Sequence, residues 1–172
     1  MPKRRRRNAG AAVFGERAPT FEKLMHAIST MTPEQADLIR QSFDAMWPVR
    51  RKLAASFYNR FFELDPDARR LFPRDMERQH LKLMDSIAAI VGALDRRELF
   101  QSVISYAGRQ HVGFGATSSD FAAFGQALIW GLEQQIGPAF TPELKKAWLL
   151  LYNEVQGEMM RAASSSGPNR IG

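Results

Sequence analysis

The chain has 172 residues, no cysteine and a formal net charge of +6. That length supports one domain with its own core, and the missing cysteines exclude disulfides, thiolate metal sites, iron–sulfur clusters and cysteine nucleophiles. Lys3, Arg4, Arg5, Arg6 and Arg7 carry five of the six charges, so the cationic feature is a tail on a nearly neutral body. Such a tail can hold phosphates or anionic lipid weakly; no specific nucleic-acid contact is expected of the body. The "AGAAVF" after it is too short for a secretory core and runs into Glu16 and Arg17, and no apolar run approaches the roughly 18 residues of a membrane span. A cytoplasmic protein is the expectation.

Residues 1–30 read as a basic, mostly disordered extension, in which "FEKLMHAI" forms a short helical turn with His26 exposed. Order begins at Thr32, a good N-cap, with Pro33 at the first helical position and Gln35 completing a capping box. Leu38, Phe43 and Met46 then recur at near-helical spacing. A second helix spans about 49–64, with Leu53, Phe57, Phe61 and Leu64 on one stripe. In "DPDARRLF" Asp65 caps, Pro66 opens, and a short helix ends near Phe72 before Pro73.

Further helices are expected over about 76–94, with Leu83, Ile87, Ile90, Val91 and Leu94 in register, and over about 96–111. In the latter, Phe100, Val103, Ile104 and Ala107 lead to His111, and Gly113 and Gly115 stop the helix. Ser118 or Ser119 caps a helix to Ile136, "GP" breaks the chain, and Thr141–Pro142 start a last helix to about Ala163. Residues 164–172 read as a frayed tail. No persuasive alternating strand appears, so the fold class is all-α, with one domain over 31–163.

Few motifs carry chemistry. Nucleotide-binding glycine loops, HExxH and GxSxG are missing, and "GFGATSS" comes after a helix rather than a strand. Glu63, Asp65 and Asp67 lie at a helix end and the next start, where capping explains them. The paired arginines read as solvated. His111 alone at a helix end can satisfy the last carbonyls or the helix dipole; a ligand role needs partners on other helices.

Those partners are "FYNRFFELDPDARRLF", "QHLKLM", "GRQHVGFG", "IWGLEQQIG" and "FTPELKKAW", in this order. The set resembles the globins, in particular bacterial single-domain globins similar to flavohaemoglobin haem domains, within a family that includes the neuroglobin-like proteins. The resemblance covers about residues 30–163 and implies a globin fold of six to seven helices around a haem b pocket. It implies His111 as the proximal iron ligand, Phe72 as the ring against the haem face, Tyr58 and Gln79 as the distal polar pair, and Leu83 as the apolar roof of the ligand site. Trp130 and Trp148 are expected in the core.

The register of the distal helix leaves two residues in play. Gln79 and His80 are neighbours, about 100° apart on a helix. The "KLM" match places Gln79 inward, while the apolar stripe allows His80, which could then be a sixth iron ligand. Two departures also matter. The flavohaemoglobin pattern backs the proximal histidine with a tyrosine and a glutamate; here those positions are Phe121 and the neighbourhood of Ala163. His111 would then donate to a carbonyl of its own helix instead.

The expected function is reversible binding of oxygen and other diatomic ligands, for transport or storage. The alternatives are nitric oxide dioxygenation to nitrate with an external reductase, and a haem-based sensor or interaction protein. The expected partners are O2, NO or CO and a reductase, with the chain a monomer or homodimer.

Overall fold

The computed structural model describes residues 31–113 and 116–165. The expectations for 1–30, including the helical turn with His26, for Gly115, and for the tail beyond Ser165 lie outside the described residues. The described residues belong to one compact unit beginning at Met31 and, among them, there are six α-helices and no strand.

Helix α1, Pro33–Met46, opens on the expected capping box: Gln35 N–H donates to Thr32 Oγ1 at 3.3 Å, and Thr32 N–H donates to Gln35 Oε1 at 3.0 Å. Its buried face is Ala36, Ile39, Phe43 and Met46. Leu38, expected on that stripe, is instead 36% exposed, because Ile39 takes the inward position and the neighbouring residue lies about 100° away. Pro48 then turns the chain through a 3-10 segment, Trp47–Val49.

Helix α2, Arg50–Leu64, buries Leu53, Ala54, Phe57, Tyr58 and Phe61. Asp65 caps the next segment by accepting Ala68 N–H at 3.2 Å. The expected short helix there is a 3-10 segment, Pro66–Leu71. Helix α3, Glu77–Gly92, buries Leu83, Met84, Ile87 and Val91, and helix α4 spans Arg97–Gly113.

Helix α5, Ser118–Ile136, is capped by Thr117 rather than by Ser118 or Ser119: Thr117 N–H donates to Asp120 Oδ2 at 2.6 Å and Asp120 N–H to Thr117 Oγ1 at 3.4 Å. The deciding residue is Asp120, the acidic partner that a capping box places three positions after the cap. Gly137, at φ 63°, ends α5 in a backbone conformation that glycine adopts without strain. Helix α6 runs Pro142–Ser165, two residues past the expected end, with Thr141 Oγ1 accepting Leu144 N–H at 3.2 Å.

Helix α6 packs along α4 and α1, while α2 packs along α5 and supports α3. At the centre lie Trp148, Phe57, Ile39, Leu53, Ile104 and Leu132. The buried indole N–H of Trp148 donates to Ser42 Oγ at 3.0 Å, and the Ser42 hydroxyl donates to Ile39 O at 2.9 Å. Ser42→Ala should therefore leave the indole N–H unsatisfied and cost about 1–3 kcal/mol in urea denaturation. Trp130, expected in the core, is 37% exposed. It lies on the outer side of α5, where the Arg60 guanidinium stands 5.6 Å from its ring centroid. No described helix is long and apolar enough to cross a membrane.

Candidate functional site

The buried stripe of α2 places Tyr58 inside, 3% exposed. Its ring lies 4.8 Å from Phe57 and 5.5 Å from Phe72, edge-on to both. Burial pushes the phenol up to about 12, with a hydrogen bond to Gln79 opposing the rise. At neutral pH the hydroxyl therefore keeps its proton and can donate.

Gln79 and His80, adjacent on α3, are both half-buried. Gln79 reaches the Tyr58 hydroxyl, and the His80 ring stacks on the Tyr58 ring at 5.5 Å and 24°. The structure therefore brings both candidates for the distal helix to the same tyrosine. They differ in kind: Gln79 meets the polar tip and His80 the ring face. Leu83, one turn further along α3, is buried at 7% exposure. The same helix borders a solvent hollow of about 620 Å³, whose lining includes Pro73, Arg78, Gln79 and Leu81.

Phe72 lies at the corner between the 3-10 segment and α3, in an extended conformation. Beyond Tyr58 it meets Phe62 at 5.4 Å and Phe61 at 6.1 Å. Arg69 locks this corner: its guanidinium donates to Phe72 O at 3.1 Å and Pro73 O at 3.0 Å, and stands 5.2 Å from the Phe62 ring centroid. Arg69 is thus a half-buried brace and not a solvated charge. Sequence reasoning misses it because its acceptors are main-chain carbonyls, which every residue possesses.

His111 occupies the last turn of α4. Its Nδ1 lies 2.7 Å from Ala107 O. A carbonyl oxygen only accepts, so the bond requires the proton on Nδ1, and the lone pair of the neutral ring form is then on Nε2. The Phe121 ring sits 6.2 Å from the imidazole at 40°. Among the described residues, none of the hydrogen bonds or ring contacts of His111 goes to Tyr58 or Gln79. The two sides are connected by aromatic packing: Phe57 meets Phe124 at 4.6 Å, and Phe124 stacks on Tyr152 at 6.1 Å and 12°.

Two features near His111 escape a one-dimensional reading. A Cβ at Gly108 would sit 2.8 Å from Met159 O, so α4 and α6 touch backbone to backbone one turn before the histidine. A Cβ at Gly125 would overlap the Tyr152 ring. The only sequence signal is glycine within a helical pattern, which costs about 1 kcal/mol against alanine and so hints at a packing reason.

The globin family model matches residues 55–159, more than half of the chain. Neuroglobin of Danio rerio is 28% identical over 156 residues, covering 81% of this chain and 97% of its own length. Neuroglobin of Tetraodon nigroviridis gives the same identity and coverage, and neuroglobin-1 of Oncorhynchus mykiss is 26% identical over the same span. Among solved structures, a hexacoordinated heme protein from an anhydrobiotic tardigrade superposes with a TM-score of 0.73 at 15% identity, covering 79% of this chain and 97% of that one. The family match and the superposed structure confirm the expected fold, and the three sequence relatives are neuroglobins. With its helices in this order and the family match spanning the stretch from α2 to α6, the chain belongs to the globin family.

Proposed function

We propose that this globin binds haem b through His111 and holds O2, NO or CO beside Tyr58 and Gln79. The single observation that carries the reading is the Nδ1 hydrogen bond of His111 to Ala107 O at 2.7 Å. It selects the tautomer whose Nε2 binds a metal, and it orients the ring. The donor set fits the group: one imidazole on α4, the Phe72 ring at a braced corner, and the buried Leu83. Haem would supply an iron atom with a sixth position for a diatomic ligand.

On the distal side, the protonated Tyr58 hydroxyl and the Gln79 amide are two hydrogen-bond donors in an apolar setting. Such donors stabilise a partly negative ligand atom more strongly than they would in water. The hydrogen bond between the Tyr58 hydroxyl and Gln79 offsets part of the cost of burying the phenol. Tyr58→Phe keeps the ring packing and removes one donor. The oxygen dissociation rate should rise about tenfold, the kinetic equivalent of a bond worth roughly 1–1.5 kcal/mol, as read by stopped-flow spectroscopy. An unchanged rate would remove Tyr58 from the ligand site.

His80 is the rival on this side. Its stacking on Tyr58 supports that alternative. We assign the ligand contact to Gln79 and treat His80 as a packing partner. A five-coordinate spectrum after dithionite reduction agrees with that; a sharp six-coordinate spectrum lost in His80→Leu overturns it.

The second reading is nitric oxide dioxygenation, favoured by the paired donors Tyr58 and Gln79, which would hold oxygen polarised for reaction with nitric oxide. Its turnover requires an electron donor. Rapid mixing of the oxygenated protein with nitric oxide decides between the two. Fast oxidation with stoichiometric nitrate supports the enzyme, whereas slow oxidation without nitrate leaves the carrier.

A further inference from the structure

Helix α6 makes two close contacts with the helices that flank His111. The first is at Gly108, one turn ahead of the histidine on α4. The second is at the start of α5, where the Tyr152 ring fills the space that a side chain at residue 125 would occupy. The Tyr152 hydroxyl donates to Phe121 O and also meets the backbone of Gly125. Phe121 and Gly125 are successive hydrogen-bonding partners along the helix, so the phenol is seated on one turn of α5. Burial pushes this phenol up, leaving it a firm donor.

That same turn carries the Phe121 ring, which lies 6.2 Å from the His111 imidazole. The imidazole thus has two restraints. Its Nδ1 hydrogen bond to Ala107 draws one edge toward its own helix, but leaves the ring able to rock about that bond. A ring contact from α5 limits the rocking, provided that Phe121 is itself held. The remaining contact of the Tyr152 ring, stacked on Phe124, connects this clamp to the α2 side of the core.

We propose that Tyr152 is a positioning residue for the proximal histidine: its hydroxyl on Phe121 O and its ring on Gly125 clamp the first turns of α5, so that the Phe121 ring sets the rotation of the His111 imidazole. Partners beyond the first ligand tune a metal by orienting that ligand. Here the orienting group is apolar and adds no negative charge to the imidazole. The clamp therefore sets geometry rather than basicity. The inference rests on His111 as the iron ligand.

The test uses the full chain loaded with iron protoporphyrin IX. Resonance Raman spectra are taken on the ferrous protein directly after carbon monoxide is flashed off, when the iron–histidine stretching band is visible. Tyr152→Phe keeps the ring in its slot and removes the hydroxyl; the band should shift and broaden as the imidazole gains rotational freedom. Phe121→Leu leaves the acceptor carbonyl and removes the ring, and should change the band in the same direction. The double variant should change it no further than Phe121→Leu alone, since Tyr152 acts through that ring.

A band unchanged in position and width in Tyr152→Phe, with only the melting temperature lowered, makes Tyr152 a core residue and overturns the inference. If Tyr152→Phe fails to fold, Phe121→Leu decides, and an unchanged band there overturns it equally. A wild-type protein with no such band, or a band that survives in His111→Ala, would instead refute the His111 assignment beneath it.

Discussion

His111→Ala is expected to lower haem affinity by at least about 100-fold, since losing mere outer partners of a metal ligand already costs about 10–100-fold. The check is a titration of haem into the apoprotein, monitored at the Soret band. The fold itself should survive. His111 is half-buried at the end of α4, and the one hydrogen bond described for its side chain is to Ala107 O in its own helix. A melting temperature near that of the unsubstituted apoprotein would separate loss of ligation from loss of structure. Added imidazole should restore part of the Soret band by filling the space and offering the same nitrogen. A titration curve identical to the wild type would defeat the proposal that His111 holds the iron.

The second large effect is expected at Gly108. A methyl group there would sit 2.8 Å from Met159 O and 2.9 Å from Met159 Cα. These are backbone atoms, so no side-chain rotation relieves the clash, and α4 must move away from α6. Overpacking of this kind costs about 1–3 kcal/mol. Alanine recovers up to about 1 kcal/mol of helix propensity, and the clash with a rigid backbone outweighs that gain, so Gly108→Ala should be destabilised. Gly92→Ala is the control. Nothing lies within 4 Å of a Cβ there, so the substitution should be neutral or mildly stabilising.

Urea denaturation of both variants reads the contrast directly. Equal stability of Gly108→Ala and Gly92→Ala would mean that the α4–α6 crossing yields easily. Because Gly108 precedes His111 by one turn, its variant should also bind haem more weakly, a second signal that the control lacks.

Local signals survive translation into structure where neighbours in sequence are neighbours in space. The Thr32–Gln35 box and the Asp65 and Thr141 caps involve partners three residues apart. They depend on short-range geometry that a linear pattern contains. The start of α5 shows the limit of such reading: Thr117, Ser118 and Ser119 can all cap, and only the position of Asp120 separates them. Inward faces are legible to within about one residue. Ile39 displaces Leu38, and Trp130 turns outward, because the phase of a helix is settled by what it packs against.

The candidate site divides in the same way. Tyr58, Phe72, Gln79, Leu83 and His111 are singled out by sequence because ordered motifs resemble a family. Whether Gln79 or His80 meets the Tyr58 hydroxyl is a question of helix rotation, and the structure gives that contact to Gln79 while stacking His80 on the ring. Arg69 is hidden from a linear reading because its acceptors are backbone carbonyls, and Tyr152 because its slot is a missing side chain on another helix.

By itself, then, the sequence determined the all-α class, the caps and stops that delimit the helices, and the short list of residues with suitable chemistry. These come from periodicity and from interactions spanning at most a turn. The tertiary structure alone decided which atoms of those residues meet: the partner of Tyr58, the ring that stands beside His111, and the glycine contacts through which α6 braces both flanking helices. Such contacts join positions far apart in the chain, and their energies depend on distances of a few ångströms that no linear pattern encodes.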